Sequence, residues 1–293
     1  MSVSDERVGV GVAHGKAVLL GEHTVVYGTP AIAVPIPALA VSASARVRRD
    51  GARTQGKPDL EVAVDDGLEF TLDSAIPSGR GLGSSAACAA AAVRAAADLH
   101  GETVDAETLH ELVQKSERVA HGRASGVDAR AVVARGPIWF EDGDARPLAV
   151  GVDAVVVVAD TGVPGGTRKA VDRVRARLAA DPRSAEETLA RAAWLVRGAV
   201  DDLAAGRVAA LGQRMLDFHD VLAWLGVNTP EIDRLVAAAI EAGALGAKVT
   251  GGGLGGCVIA LADPRDDAAH LCEAMEQAGA ARTWPVELGG ASC

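Results

Sequence analysis

The chain has 293 residues, a length that allows one or two domains and a full hydrophobic core without disulfides or a structural metal. Its net charge of −10, from 29 Lys and Arg against 39 Asp and Glu, and its 3% aromatic content argue against nucleic acid as a partner. Phosphate contacts need cations and single-strand binders need stacking rings.

The first residues, Met1-Ser2-Val3-Ser4-Asp5-Glu6, lack a basic segment followed by an apolar one, so no secretory signal is expected. The longest apolar runs, Ala86 to Val93 and Ala154 to Ala159, fall short of the roughly 18 residues of a membrane span. Cys88, Cys257, Cys272 and Cys293 are scattered without a paired spacing, which argues against a disulfide framework or a zinc site. A soluble cytoplasmic protein is the expectation. The heavy use of Ala, Gly, Val and Arg reads as a bias of the coding sequence rather than as chemistry.

In chain order, Val8 to Leu20 reads as a strand. Ala31 to Val47 reads as a long strand whose nearby Pro30, Pro35 and Pro37 suit an edge or a bend. Asp59 to Val64 and Leu68 to Leu72 flank an Asp65-Asp66-Gly67 hairpin signal. Gly79 to Ser85 opens into an Ala-rich helix reaching His100, with Ser as the expected N-cap. Val104 to Ala120 is helical, with Leu109, Leu112, Val113 and Ala120 on one face. Strands follow at Ile138 to Phe140 and Ala154 to Ala159. Helices follow at Thr167 to Ala180, Ala185 to Ala205, Val208 to Leu225, and from Thr229-Pro230 to near Gly243. Lys248-Val249-Thr250 leads into a second glycine cluster, Gly251 to Gly256. A strand at Cys257 to Ala262, a helix started by Asp263-Pro264 and a strand at Arg282 to Leu288 complete the pattern. The first half is β-rich and the second mostly helical, with a seam near residue 150.

Several segments carry chemistry. Gly79-Arg80-Gly81-Leu82-Gly83-Ser84-Ser85 combines a tight glycine turn with a helix N-terminus, the elements of a phosphate cradle. No Lys follows the last glycine, so it is not a Walker A loop. Gly251 to Gly256 formally matches GxGxxG, but Cys257 to Leu261 after it reads as a strand, which rejects a dinucleotide fingerprint in favour of a turn between strands. Gly15 to His23 places Lys16 in an apolar strand, where it either snorkels at an edge or faces an anion, and Glu22-His23 follow at a turn. Glu117 is the most inward charge of its helix and needs a partner or a cation. Asp128, in the glycine-rich turn after His121, is expected on a loop, where an Asx-turn is its ordinary role. Thr167, after Thr161-Gly162-Val163-Pro164-Gly165-Gly166, reads by itself as an N-cap. His14, His219 and His270 lack metal-ligand spacing.

Singly, each segment has an ordinary structural explanation. Their order resembles the GHMP small-molecule kinases. The resemblance rests on Gly15-Lys16 with Gly21-Glu22-His23-Thr24-Val25-Val26-Tyr27-Gly28-Thr29-Pro30-Ala31, on Ile76-Pro77-Ser78-Gly79 to Ala87, and on Lys248-Val249-Thr250-Gly251 to Cys257. The Val-Val-Tyr-Gly-x-Pro-Ala run is similar to the branch of that family that phosphorylates mevalonate, and Arg80 to its bacterial members. Leu254 departs from the family's usual glycine order and could trim the substrate pocket.

The resemblance implies an α/β (α+β) two-domain GHMP kinase fold. An N-terminal ATP-binding domain related to a ribosomal-protein domain would span 1–150, a C-terminal ferredoxin-like domain 151–293, and the active site would lie in the cleft between them. It implies transfer of the γ-phosphoryl group of ATP to the 5-hydroxyl of mevalonate, with Mg²⁺. Gly79, Arg80, Gly81, Leu82, Gly83, Ser84 and Ser85 would bind ATP, and Ser85 and Glu117 the metal. Asp128 and Lys16 would be catalytic, and Lys16, Glu22, His23, Asp128 and Thr167 would contact the alcohol. A homodimer is implied by the same resemblance, while the short apolar runs lead to the expectation of no membrane partner. Two other readings stay open: a sister kinase acting on phosphomevalonate or another small alcohol, and a silent ATP-binding sensor.

Overall fold

The computed structural model describes residues 7–47, 64, 67–121, 125–263 and 268–289. The expected strand at 59–64 and its Asp65-Asp66-Gly67 turn therefore lie outside the described residues, apart from Val64 and Gly67. The chain forms two compact units. One comprises residues 1–16, 35–78 and 83–135, the other 17–34, 79–82 and 136–293.

In the first unit lie the start of β1 (Gly9–Leu20), the end of β2 (Ala31–Val47), and β3 (Leu68–Ser74). With them are α1 (Ser84–His100), α2 (Ala106–His121) and the short α3 (Val127–Ala131). The alanines of α1 are packing residues rather than compositional noise: Ala86, Ala87, Ala89 to Ala92 and Ala95 are all 0% exposed. They allow the helix backbone to lie directly on β1, where a side chain at Gly9 or Gly11 would collide with the main chain at Ala95 and Ala91. Small residues on both elements permit that approach, and dense packing rewards it.

β2 is not an edge strand. It stands between β1 and β4 (Ile138–Glu141) in the order β1-β2-β4-β5, with β5 at Asp144–Pro147, and also pairs with β3. Ala31–Ala33 pair antiparallel with Phe140–Ile138, and Val41–Val47 with Ser74–Leu68. Pro35 and Pro37 fall between these stretches, where neither β3 nor β4 needs their missing N–H groups.

In the second unit, β6 (Ala154–Asp160) is followed by α4 (Thr167–Ala180), α5 (Pro182–Ala204), α6 (Val208–Leu225) and α7 (Pro230–Glu241). Then come β7 (Gly246–Thr250), β8 (Cys257–Ala262), α8 (Ala268–Gln277) and β9 (Arg282–Leu288). The sheet order is β7-β8-β6-β9, antiparallel throughout, as expected of a ferredoxin-like unit. Val156, Val157 and Val158 are 0% exposed, so the unbroken apolar run of β6 is a strand covered on both faces. Each such side chain stabilises the fold by about 1.5–3 kcal/mol. The start of α7 matches the sequence signal: Thr229 caps it through the Ile232 N–H, with Pro230 next. Among the described residues, no helix is long and apolar enough to cross a membrane.

Candidate active site

In the first unit, the structure joins Lys16 and Asp128. Lys16 is 2% exposed, and its Nζ lies 3.0 Å from Asp128 Oδ1. The Asp128 side chain is 37% exposed, so a buried cation backs a carboxylate that opens to solvent. Asp128 does not sit on a loop. Gly126 at φ 97° turns the chain into α3, and Asp128 lies in its first turn. That places the carboxylate on a fixed helical backbone.

The stem of Lys16 is held by the glycine loop. A Cβ at Gly83 would lie 3.1 Å from Lys16 Cγ and 3.0 Å from Val132 Cγ1. Gly83, at φ 75°, is the N-cap of α1, where Ser was expected, and Ser84 and Ser85 are the first two helical residues. Their hydroxyls are therefore not used as caps. Ser85 Oγ is buried and has no hydrogen-bond partner. Glu117, on α2, is 5% exposed, whereas Glu107, Glu111, Lys115 and Arg118 are exposed, as the helical phase predicts.

In the second unit, the two glycine clusters meet. A Cβ at Gly251 would lie 2.8 Å from Gly81 Cα, and one at Gly81 would lie 3.1 Å from Gly251 Cα. Both residues have left-handed backbones, at φ 77° and 76°, so glycine serves conformation and contact alike. The Gly165 N–H donates to Gly79 O at 2.8 Å, which brings the segment before Thr167 onto the same loop. Gly251 to Gly256 joins β7 to β8, which confirms the turn between strands.

The Arg80 guanidinium is engaged within this unit. Its Nε lies 2.9 Å from Asp160 Oδ2, and its Nη2 donates to Gly162 O at 3.1 Å. Asp160 is 5% exposed and also accepts from the Gly162 N–H at 2.8 Å. Arg80 thus ties the loop to the end of β6. Arg80→Met should leave Asp160 buried without that cation and destabilise the fold by about 2 kcal/mol. Chemical denaturation reads this as a lower midpoint; an unchanged midpoint would show that the pair is not structural.

Glu22 and His23 follow β1 at the Gly21 turn. Glu22 is 5% exposed and pairs with Lys248 Nζ, which is 0% exposed. His23, at φ 62°, has a buried Nε2 without a hydrogen-bond partner. Burial pushes its imidazole down to about 4; a backbone hydrogen bond with Gly252 opposes that, and the Lys248 ammonium adds to it. His23 is therefore neutral at pH 7. The side chain of Thr167 also reaches Gly252, where a Cβ would collide with it. Thr167 is the first residue of α4, behind Gly166 as N-cap, rather than the cap itself. Leu254, at φ 55°, donates its N–H to Val227 O at 2.8 Å, and its Cβ would lie 3.5 Å from a Cβ at Gly166.

The burial of His23 makes folding stability depend on pH. Below its ordinary pKa of about 6.5, the unfolded chain binds a proton that the folded chain resists down to about 4. Stability is complete above pH 6.5 and falls as pH drops through that window. His110 and His219 are lowered by burial as well and add to the same slope. His23→Gln should flatten the fall of Tm between pH 6.5 and 4, and a slope identical to the parent's would refute the assignment.

Lys248 and Thr250 belong to a motif that carries the family resemblance, but neither they nor Asp160 is among the expected site residues. The signal for Lys248 was nonetheless there, a lone Lys in the apolar run Gly246-Ala247-Lys248-Val249, as at Lys16.

Residues 42–136 match the family model of the GHMP kinases N terminal domain, and residues 199–281 that of the GHMP kinases C terminal region. The chain is 33% identical to a mevalonate kinase of Aeropyrum pernix, over 95% of this chain and 96% of that one. It is 32% identical to a mevalonate kinase of Pyrococcus horikoshii, over 86% of this chain and 88% of that one. In structure it is similar to the L. major mevalonate kinase in complex with R-mevalonate, with a TM-score of 0.85 and 25% identity over 99% and 100% of the two chains.

Proposed function

The chain belongs to the GHMP kinase family, and on that premise we propose that it transfers the γ-phosphoryl group of ATP to the 5-hydroxyl of mevalonate. The observation that carries this reading is the buried Lys16 ammonium 3.0 Å from the solvent-facing Asp128 carboxylate. It stands in a chain one-third identical to named mevalonate kinases.

In the reaction, the substrate oxygen forms a bond to the γ-phosphorus, the bond to the ADP oxygen breaks, and the hydroxyl proton passes to Asp128. Phosphoryl transfer is mostly positioning and charge stabilisation. Lys16 stabilises charge on the attacking oxygen and holds Asp128 in place. The main-chain N–H groups of Gly79, Arg80, Gly81, Leu82, Gly83, Ser84 and Ser85 hold the ATP phosphates. Glu22, His23 and Thr167 contact the alcohol, with neutral His23 exchanging a hydrogen bond through Nε2. As functional halves, residues 1–150 would carry the ATP-binding loop and 151–293 the second domain, although 17–34, 79–82 and 136–150 belong to the same compact unit as the C-terminal half.

The buried Ser85 hydroxyl and the buried Glu117 carboxylate fit Mg²⁺, which takes few protein oxygens beside phosphate and water. When bound, Mg²⁺ neutralises charge on the transferring phosphates. A cytoplasmic homodimer completes the reading, and sedimentation tests its stoichiometry.

The decisive assay is coupled ADP release with ATP and Mg²⁺ across mevalonate, phosphomevalonate, homoserine and galactose. Turnover of mevalonate alone is expected. Turnover of phosphomevalonate or another alcohol instead would replace the substrate, and ATP binding without any turnover would make the chain a nucleotide sensor.

A further inference from the structure

Lys248 has the surroundings of a part that sets geometry. It is 0% exposed, and its Nζ pairs with Glu22 Oε1 and donates to Val249 O at 2.6 Å. The Phe218 ring lies 5.7 Å from the same ammonium. Burial pushes its pKa down, and the Glu22 carboxylate opposes that. A buried ion pair is a poor source of net stability, because apolar residues of the same volume often do as well or better. What it supplies is a fixed direction for each partner.

Two further contacts act alongside. Thr250 Oγ1 accepts from the Val18 N–H at 2.9 Å and donates to Val18 O at 3.0 Å. Gly252 engages His23 through its backbone. Lys248 and Thr250 are two apart on β7 and therefore share a face, and Gly252 follows in the turn. In sequence, residues 248, 250 and 252 grip residues 22, 18 and 23. Gly21 supplies a positive φ freely, whereas His23, at φ 62°, is held in a left-handed conformation that a histidine does not favour alone.

We propose that Lys248 is a positioning residue for the alcohol substrate: through Glu22 it fixes the Glu22-His23 turn in the geometry that receives mevalonate. This rests on the reading of Glu22 and His23 as alcohol contacts. Lys248 itself touches no reacting atom. Its loss therefore affects one substrate and spares the other.

The test is a double-mutant cycle with Lys248→Met, Glu22→Gln and the double variant, each assayed for both KM values, kcat and Tm. Lys248→Met should raise KM for mevalonate by about tenfold or more, the scale of one charge-assisted hydrogen bond, and leave KM for ATP within about twofold. On the Glu22→Gln background the same change should add no further rise, because its route is gone. Should Lys248→Met not fold, Lys248→Gln keeps a donor to Val249 O and should show the same selective rise. Equal changes in both KM values, or a further rise on the Glu22→Gln background, would reduce Lys248 to a structural residue. A parent chain that turns over no mevalonate would instead overturn the reading on which the inference rests; an active parent with unselective variants would overturn the inference alone.

Discussion

Asp128→Asn should lower kcat by about a thousandfold while leaving KM for ATP within about twofold and Tm nearly unchanged. The carboxylate is the only part altered. Asn keeps the volume and an oxygen within reach of Lys16, but cannot take up a proton. Water reaches the 37%-exposed Asp128 side chain, and Asn keeps an oxygen acceptor for the buried Lys16 ammonium, so the loss of stability should be small, on the order of 1 kcal/mol. The variant should therefore fold and bind nucleotide while failing in the step that needs a proton acceptor. Single-turnover measurements separate that step from product release. Near-normal turnover would remove Asp128 from the chemistry and leave it as a helix-start carboxylate.

Lys16→Met should lower kcat by about a hundredfold or more, and Lys16→Arg should not restore it. Met replaces the apolar stem without the charge, so the packing under Gly83 persists while the attacking oxygen loses its cation. Arg retains the charge, but its planar fork needs space that the glycine loop denies. The stem of Lys16 already lies 3.1 Å from where a Gly83 Cβ would stand. A bulkier head must displace the loop or Asp128. Full activity in Lys16→Arg would show that charge alone is required, and an active Lys16→Met would sink the role.

Much of the fold was legible in the sequence. The bounds of β2, β8, β9, α4 and α6 coincide with the expected segments, because hydrophobic period, proline and glycine are local signals. β5 and α3 were not anticipated. Each is four or five residues long, below the length at which a period can be read. The N-caps of α1 and α4 were placed on Ser and Thr by preference, yet Gly83 and Gly166 hold those positions. At Gly83 a left-handed φ of 75°, with Val132 and the Lys16 stem 3.0–3.2 Å from where a Cβ would stand, favours glycine over Ser.

The candidate site divides in the same way. Sequence alone marked the candidate residues, Lys16 by its solitude in an apolar strand, Glu117 by helical phase and the two glycine clusters by composition, and it marked the family by the order of the Lys16 segment and the two glycine segments. Only the tertiary structure decided how they are used. It paired Lys16 with Asp128, turned the Arg80 side chain to Asp160, set Gly81 against Gly251, and buried Lys248 on Glu22. Glu22 and Lys248 are 226 positions apart. A local pattern reports the conformation of its own few residues, while which distant groups meet is set by how the strands that carry them pack.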